Sequence, residues 1–217
     1  MPDRSCKAIL FDFDGTLSET INQHFSAWKE AFSSKGVDIE GDDFFPVEGQ
    51  NLMLMAKNIC EKYHLSADPT EIYNIKEEIY LENHEFSLYP GVEELIEELI
   101  YNKIKIAIVT AGKRNRMNNS IPRDFSKMFD VIICGDDTER GKPFPDPFLK
   151  CMHDLKVGPL ETVVVENAPF GVASAKASGA YVIAVCSTVG KEKLYEADEI
   201  YPSFSDISKS SLISSCI

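Results

Sequence analysis

Ala8-Ile9-Leu10-Phe11-Asp12-Phe13-Asp14-Gly15-Thr16-Leu17, in one-letter code AILFDFDGTL, is the stretch on which the reading of this chain turns. A short apolar run of buried-strand character ends in two aspartates one residue apart, followed at once by a glycine. On a strand, residues two apart share a face, so Asp12 and Asp14 point the same way and repel each other. Burying an unpaired charge costs several kcal/mol or forces the group to take up a proton. The pair therefore calls for a cation, and the rest of the chain must supply or recruit it.

Composition narrows what that cation serves. The chain has 217 residues, enough for one sizeable core or a core domain with a smaller partner. With 44% hydrophobic and 26% charged residues it reads as an ordinary globular protein. A formal net charge of -13 argues against nucleic acid or an anionic membrane as a main partner, though not against a small anion held by local cations. The six cysteines (Cys6, Cys60, Cys134, Cys151, Cys186 and Cys216) contain no CxxC pair and read as buried free thiols of a reducing cytosol. The N-terminal apolar run is too short for a signal peptide, and no stretch approaches the roughly 20 apolar residues of a membrane span. The expectation is a cytoplasmic monomer.

Strand and helix signals alternate, which predicts a parallel α/β sheet. Predicted strands cover Lys7 to Asp12, Ile104 to Thr110, Val131 to Cys134, Thr162 to Glu166 and Tyr181 to Cys186. Val92, Leu95, Ile96, Leu99 and Ile100 mark an amphipathic helix before the second strand. A small-residue helix, Gly171 to Ser178, precedes the fifth and ends at Gly179. Residues 18–88 break this rhythm with three helical patterns, on Ile21/Phe25/Trp28/Phe32, Leu52/Ala56/Ile59/Tyr63 and Ile72/Ile75/Ile79. They predict a helical cap inserted into an α/β core of residues 1–17 and 89–217, with Tyr89-Pro90-Gly91 marking the return. The serine-rich tail, SDISKSSLISSCI, reads as poorly ordered.

In open parallel sheets, sites form at the carboxyl ends of the strands. There the chain offers Asp12 and Asp14, then Thr110-Ala111-Gly112, then Lys142 within Gly141-Lys142-Pro143, then Glu166-Asn167. Together these describe a site for a dianion bridged to a divalent cation. A carboxylate can attack phosphorus to give an aspartyl-phosphate, which splits one hard displacement into two easier ones. A second carboxyl group can protonate the leaving oxygen and then act as base on water. Asp12 suits the first role and Asp14 the second. Mg²⁺, a hard cation, would relieve the repulsion between the attacking carboxylate and the phosphoryl oxygens. The Thr110 hydroxyl, the backbone N–H groups of Ala111 and Gly112, and Lys142 can hold the remaining oxygens.

These four segments, DFDGT, VTAG, GKPFPDPF and VVVENAPFGVASAKASGA, resemble the ordered motifs of the haloacid dehalogenase superfamily. DFDGTLSET followed by His24-Phe25-Ser26-Ala27-Trp28 is similar to its β-phosphoglucomutase-like subfamily. The resemblance implies a Rossmann-like parallel sheet with helices on both faces, a helical cap, and Mg²⁺ bound by Asp12, the Asp14 carbonyl and the fourth-motif pair. That pair usually reads Glu-Asp and here reads Glu166-Asn167, so the metal site should be weaker. His24 and Lys76 become candidate substrate contacts, each weighed against an ordinary role, structural for the histidine and solvated for the lysine. Trp28 reads as core, and Lys113 as phosphate-facing or solvent-exposed.

Residues 18–88 contain no arginine, whereas mutases of the subfamily carry one in the cap to hold a second phosphate. The expected activity is therefore a phosphatase acting on a small sugar phosphate, with a sugar-phosphate mutase as the close alternative. A non-catalytic phosphometabolite-binding regulator is supported only by Asn167. A dehalogenase would have no use for Asp14.

Overall fold

The computed structural model describes residues 6–217; Met1 to Ser5, part of the stretch read above for a leader, lie outside them. Strand β1 (Ala8–Phe11) is followed by α1 (Ile21–Ser33), α2 (Gly41–Phe44), a 3₁₀ turn (Phe45–Val47), α3 (Leu52–Lys62) and α4 (Pro69–Asn83). Next come α5 (Val92–Tyr101), β2 (Lys105–Val109), α6 (Arg114–Ser120), α7 (Arg123–Ser126), β3 (Val131–Ile133) and α8 (Asp146–Leu155). The chain ends with β4 (Thr162–Glu166), α9 (Pro169–Ala177), β5 (Tyr181–Val185), β6 (Glu199–Tyr201), a 3₁₀ segment (Phe204–Lys209) and α10 (Ser211–Cys216).

The described residues form a six-stranded sheet in the order β3-β2-β1-β4-β5-β6, parallel throughout. Strand alternation sorts its side chains into two cores. Ile9, Phe11, Ile106, Ile108, Val163 and Val165 face α5, α6 and the C-terminal elements. Ala8, Leu10, Ala107, Val109 and Val164 face α8 and α9, where Val172 and Ala175 fit against small strand residues. Both faces are covered, which is why the strands read as nearly continuous apolar runs. A third cluster, built on Ile21, Trp28, Phe32, Met55, Ile59 and Ile72, belongs to α1–α4. Trp28 is fully buried in it, as expected for a core residue.

The strand order reverses at β1: β2 and β3 are added on one side of it, β4, β5 and β6 on the other. That reversal opens a crevice beyond the carboxyl ends of the central strands. Asp12 is held there by its N–H, which donates to the Val165 carbonyl at 3.0 Å.

Three expectations are corrected. The sheet gains β6, whose three residues are too short and too polar to show a strand pattern. The serine-rich tail is ordered: Phe204, Ile207 and Ile213 are buried against the sheet, and Ser210 caps α10 through the Ile213 N–H. Cys6 and Cys216 are not free thiols but a disulfide, with Cα atoms 5.4 Å apart across 210 residues. α10 returns to the start of β1, a closure invisible in cysteine spacing. Cys60, Cys134, Cys151 and Cys186 remain free.

Candidate active site

The crevice brings Asp12, Asp14, Thr110, Lys142, Glu166 and Asn167 together, all buried. Gly15 makes the turn behind the acids with φ of +85°, a backbone conformation that disfavours any side chain, and a Cβ there would collide with Asn167 and Ile21. The Thr110 hydroxyl accepts the Gly112 N–H at 3.0 Å and fixes the turn that carries the candidate phosphate donors.

Around Asp12 the groups are anionic apart from one lysine. Lys142 Nζ donates to Asp12 Oδ1 and to Glu166 Oε1, each at 2.6 Å. Burial works against its charge, but the two carboxylates hold it protonated, above the ordinary range of lysine. One ammonium cannot neutralise both. Burial lifts the Asp12 carboxyl to about 8; Lys142 opposes the rise and Glu166 adds to it. Glu166 Oε2 accepts the Asn167 and Ala168 N–H groups at 3.0 and 3.2 Å.

Around Asp14 the balance is reversed. Its Oδ1 accepts from the Thr20 hydroxyl at 2.7 Å and lies 2.9 Å from His24 Nε2. Its Oδ2 accepts from Arg116 Nη2 at 2.9 Å. Burial opposes the charge, but Arg116 and then His24 outweigh it and hold the carboxyl well below the usual carboxylate range. Burial and the Lys76 ammonium lower His24 to about 3, so the ring is neutral. Its Nδ1 then accepts from Lys76 Nζ at 3.0 Å, and its Nε2–H faces Asp14. Lys76 is not solvated as a helix-surface lysine would be. It is fully buried, donates to Glu77 Oε1 at 2.7 Å, and is drawn down to about 8 by burial and Arg116. Lys113 Nζ sits over the Tyr73 ring, 4.5 Å from its centroid.

Arg116 and Glu48 belong to this site and were not singled out from sequence. Arg116 reaches from α6 to Asp14, to Glu77 of α4 at 3.7 Å, and over the Tyr80 ring. Its signal was the basic run Lys113-Arg114-Asn115-Arg116 directly after the phosphate turn. Glu48, ahead of α3, is buried, and its Oε2 has no hydrogen-bond partner among the described residues. Burial, and then the charges of Asp12 and Glu166, push its carboxyl well above the usual range. A cavity of about 20 Å³, room for a single water, lies among Asp14, His24, Glu48, Lys76, Ala111 and Arg116.

Among the described residues no group of three or more His, Cys, Asp or Glu stands ready-arranged around a metal position. The Asn167 side chain is spent on the turn, accepting from Thr16 and donating to Thr188 at 3.0 and 2.6 Å. The charge balance nonetheless fits a divalent cation. Asp12 and Glu166 share one ammonium, and the buried Glu48 beside them keeps one carboxylate oxygen without a partner. Oxygen donors of this kind suit Mg²⁺.

The family model described as "Haloacid dehalogenase-like hydrolase" matches residues 9–185. Protein CbbY of Rhodobacter capsulatus is 31% identical over 194 residues, covering 82% of this chain and 84% of that protein. Hexitol phosphatase A of Escherichia coli is 30% identical over 210 residues, covering 93% of each. The β-phosphoglucomutase of Clostridium difficile superposes with a TM-score of 0.83 at 24% identity, covering 97% of each chain, which is likeness of fold. No helix among the described residues is long and apolar enough to cross a membrane. A family match across most of the chain, together with four motif segments meeting at the carboxyl ends of the central strands, places this protein among the haloacid dehalogenase-like hydrolases.

Proposed function

We propose that this hydrolase is a Mg²⁺-dependent phosphatase, working as a monomer on a small phosphorylated metabolite, most simply a sugar phosphate. The observation that carries this reading is the placement of Asp12 beside Lys142 and of Asp14 two residues on, in the mouth of the sheet. A hexitol phosphatase of 30% identity over nearly the whole chain supports it.

An Asp12 carboxylate oxygen attacks phosphorus, forming an aspartyl-phosphate as the ester oxygen departs. Lys142, Thr110 and the N–H groups of Ala111 and Gly112 hold the phosphoryl oxygens. Asp14 gives a proton to the departing oxygen, then removes one from the water that cleaves the intermediate. Its pairing with Arg116 favours the carboxylate needed in the second step, so that contact must loosen before the first. Asp12, the Asp14 carbonyl and Glu166, with Asn167 more weakly, would hold Mg²⁺. When bound, the ion would neutralise charge between nucleophile and phosphoryl group.

Residues 18–88 act as the cap on a core of 1–17 and 89–217. The two connections run side by side: Glu19 N–H donates to the Ser87 carbonyl and Tyr89 N–H to the Leu17 carbonyl, both at 3.0 Å. Such a paired hinge suits a lid that opens for substrate and closes against water. His24 and Lys76 ride on it and would meet the substrate's leaving group. Arg116, which reaches this interface, is engaged by Asp14 and Glu77 and is not free as a fork for a second phosphate. That favours hydrolysis over phosphate transfer between sugar hydroxyls.

The test is a set of phosphorylated metabolites incubated with and without Mg²⁺, with products followed by phosphorus NMR. Mg²⁺-dependent release of inorganic phosphate is expected. Conversion of β-glucose 1-phosphate to glucose 6-phosphate with little free phosphate would replace this reading with the mutase. Turnover of none of them would replace it with a binding protein.

A further inference from the structure

Glu48 is not explained by the steps above. It lies in the short connection between the Phe45–Val47 turn and α3, on the helical segment rather than the core. Gly49 fixes its position: φ is +80°, and a Cβ there would come within 2.8 Å of the Ala168 Cβ. Ala168 directly follows Glu166-Asn167, so this turn presses on the strand end that carries the fourth motif. The Glu48 side chain is thereby brought to the crevice, where it lines a small cavity with Asp14. It is only 9% exposed and has one carboxylate oxygen without a partner. The charges of Asp12, Glu166 and Asp14 act on it to disfavour its ionised form, and Lys142 opposes them. Lys142 is already donating to Asp12 and Glu166, and the acids can donate nothing to Glu48 while ionised. A buried carboxylate close to other carboxylates is costly unless a cation joins them.

Position 167 supplies the complementary fact. There the motif's usual carboxylate is an amide, and that amide is used up on Thr16 and Thr188. We propose that Glu48 is a ligand for the divalent cation, delivered by the cap in place of the carboxylate missing at Asn167. Closing the cap then completes the metal's oxygen shell, and metal binding and closure strengthen one another. The inference rests on the reading of a metal at Asp12 and extends it to a residue from the other side of the crevice.

The experiment uses the full chain, stripped of metal and titrated with Mn²⁺ by calorimetry in the absence of substrate. Wild type should bind one Mn²⁺. Glu48→Gln should bind it about tenfold or more weakly, and adding Asn167→Asp to that variant should restore part of the loss. Glu48→Gln keeps the side chain's shape and removes a buried group that is costly to ionise, so without metal it should melt no lower than wild type. With Mn²⁺ the wild-type melting temperature should rise and that of the variant should rise less. Equal Mn²⁺ affinity in wild type and Glu48→Gln overturns the proposal, as does absence of Mn²⁺ binding to wild type in the millimolar range. Binding that depends on Glu48 in a protein that hydrolyses no phosphomonoester supports this inference and sinks the phosphatase reading. Mg²⁺-dependent hydrolysis with an affinity indifferent to Glu48 does the reverse.

Discussion

Asp12 and Asp14 are chemically identical, two residues apart and almost equally buried, at 6% and 7% exposure, yet their surroundings drive them in opposite directions. Asp14 faces Arg116, His24 and Thr20, a set that satisfies both its oxygens and holds it ionised. Asp12 shares one ammonium with Glu166, with the buried Glu48 carboxyl nearby, and burial lifts it to about 8. The half around Asp14 is closed and charge-balanced; the half around Asp12 is short of positive charge. Pairs of acids whose environments push them apart are how one site separates an acid/base from a nucleophile or metal-binding carboxylate. Residues 18–88 contribute to this contrast, with His24 and Lys76 beside Asp14 and the buried Glu48 acting on the Asp12 side by its charge.

The strongest way to break this contrast is to neutralise Asp12. Asp12→Asn should cost about four orders of magnitude or more in turnover, because an amide cannot form the acyl phosphate. The fold should survive, since Lys142 keeps Glu166. Steady-state rates on the best phosphomonoester, with circular dichroism as the control, decide it; near-normal turnover would remove Asp12 from its role.

A second substitution attacks the balanced half. Arg116→Met leaves Asp14 and Glu77 buried without their guanidinium and should destabilise the protein by about 3–5 kcal/mol. Adding Asp14→Asn should return much of that loss, because the stranded charge is then gone. Urea unfolding of both single variants and the double variant gives the coupling. Strict additivity would show that Arg116 is packing rather than pairing.

The pH dependence of stability probes the same half more gently. His24 is lowered to about 3 in the folded protein, against about 6.5 for an unstructured histidine. Between those values the unfolded chain holds a proton that the folded chain does not. The His24 contribution is therefore complete above pH 6.5 and is lost as pH falls toward 3, at no more than about 1.4 kcal/mol per pH unit. His24→Gln should flatten the decline in unfolding free energy between pH 7 and pH 5. An equally steep decline in the variant would assign it to other groups.

The smallest expected effect is at Asn167. Because its amide is bound to Thr16 and Thr188, Asn167→Asp adds charge near the metal without a free oxygen already aimed at it. The Mg²⁺ concentration for half-maximal activity should fall, by less than about tenfold. No change at all would mean that position 167 serves the turn alone.

The sheet, the place of the helical segment and the residues at the strand ends were legible in the amino-acid pattern alone. Those features are local: apolar runs of strand length, helical spacing in residues 18–88, and Asp12, Asp14, Thr110, Lys142 and Glu166 at the points where the runs stop. The partners of those residues were decided only by tertiary structure. Arg116 follows the phosphate turn in sequence but meets Asp14 because α6 lies across from α1 and α4. Lys76 looks like a solvated helix residue until α4 packs on α1 and buries it. Glu48 sits in a loop with no motif of its own and gains meaning only where Gly49 presses on Ala168. Cys6 and Cys216 are likewise joined because α10 folds back to the start of β1. Local pattern fixes which side chains stand at the mouth of the sheet, since strand and helix periodicity act over a few residues. The charge each one carries is set above all by groups far along the chain, such as Arg116, 102 positions from Asp14, and Lys142, 130 from Asp12, whose effect exists only once burial has removed the water between them.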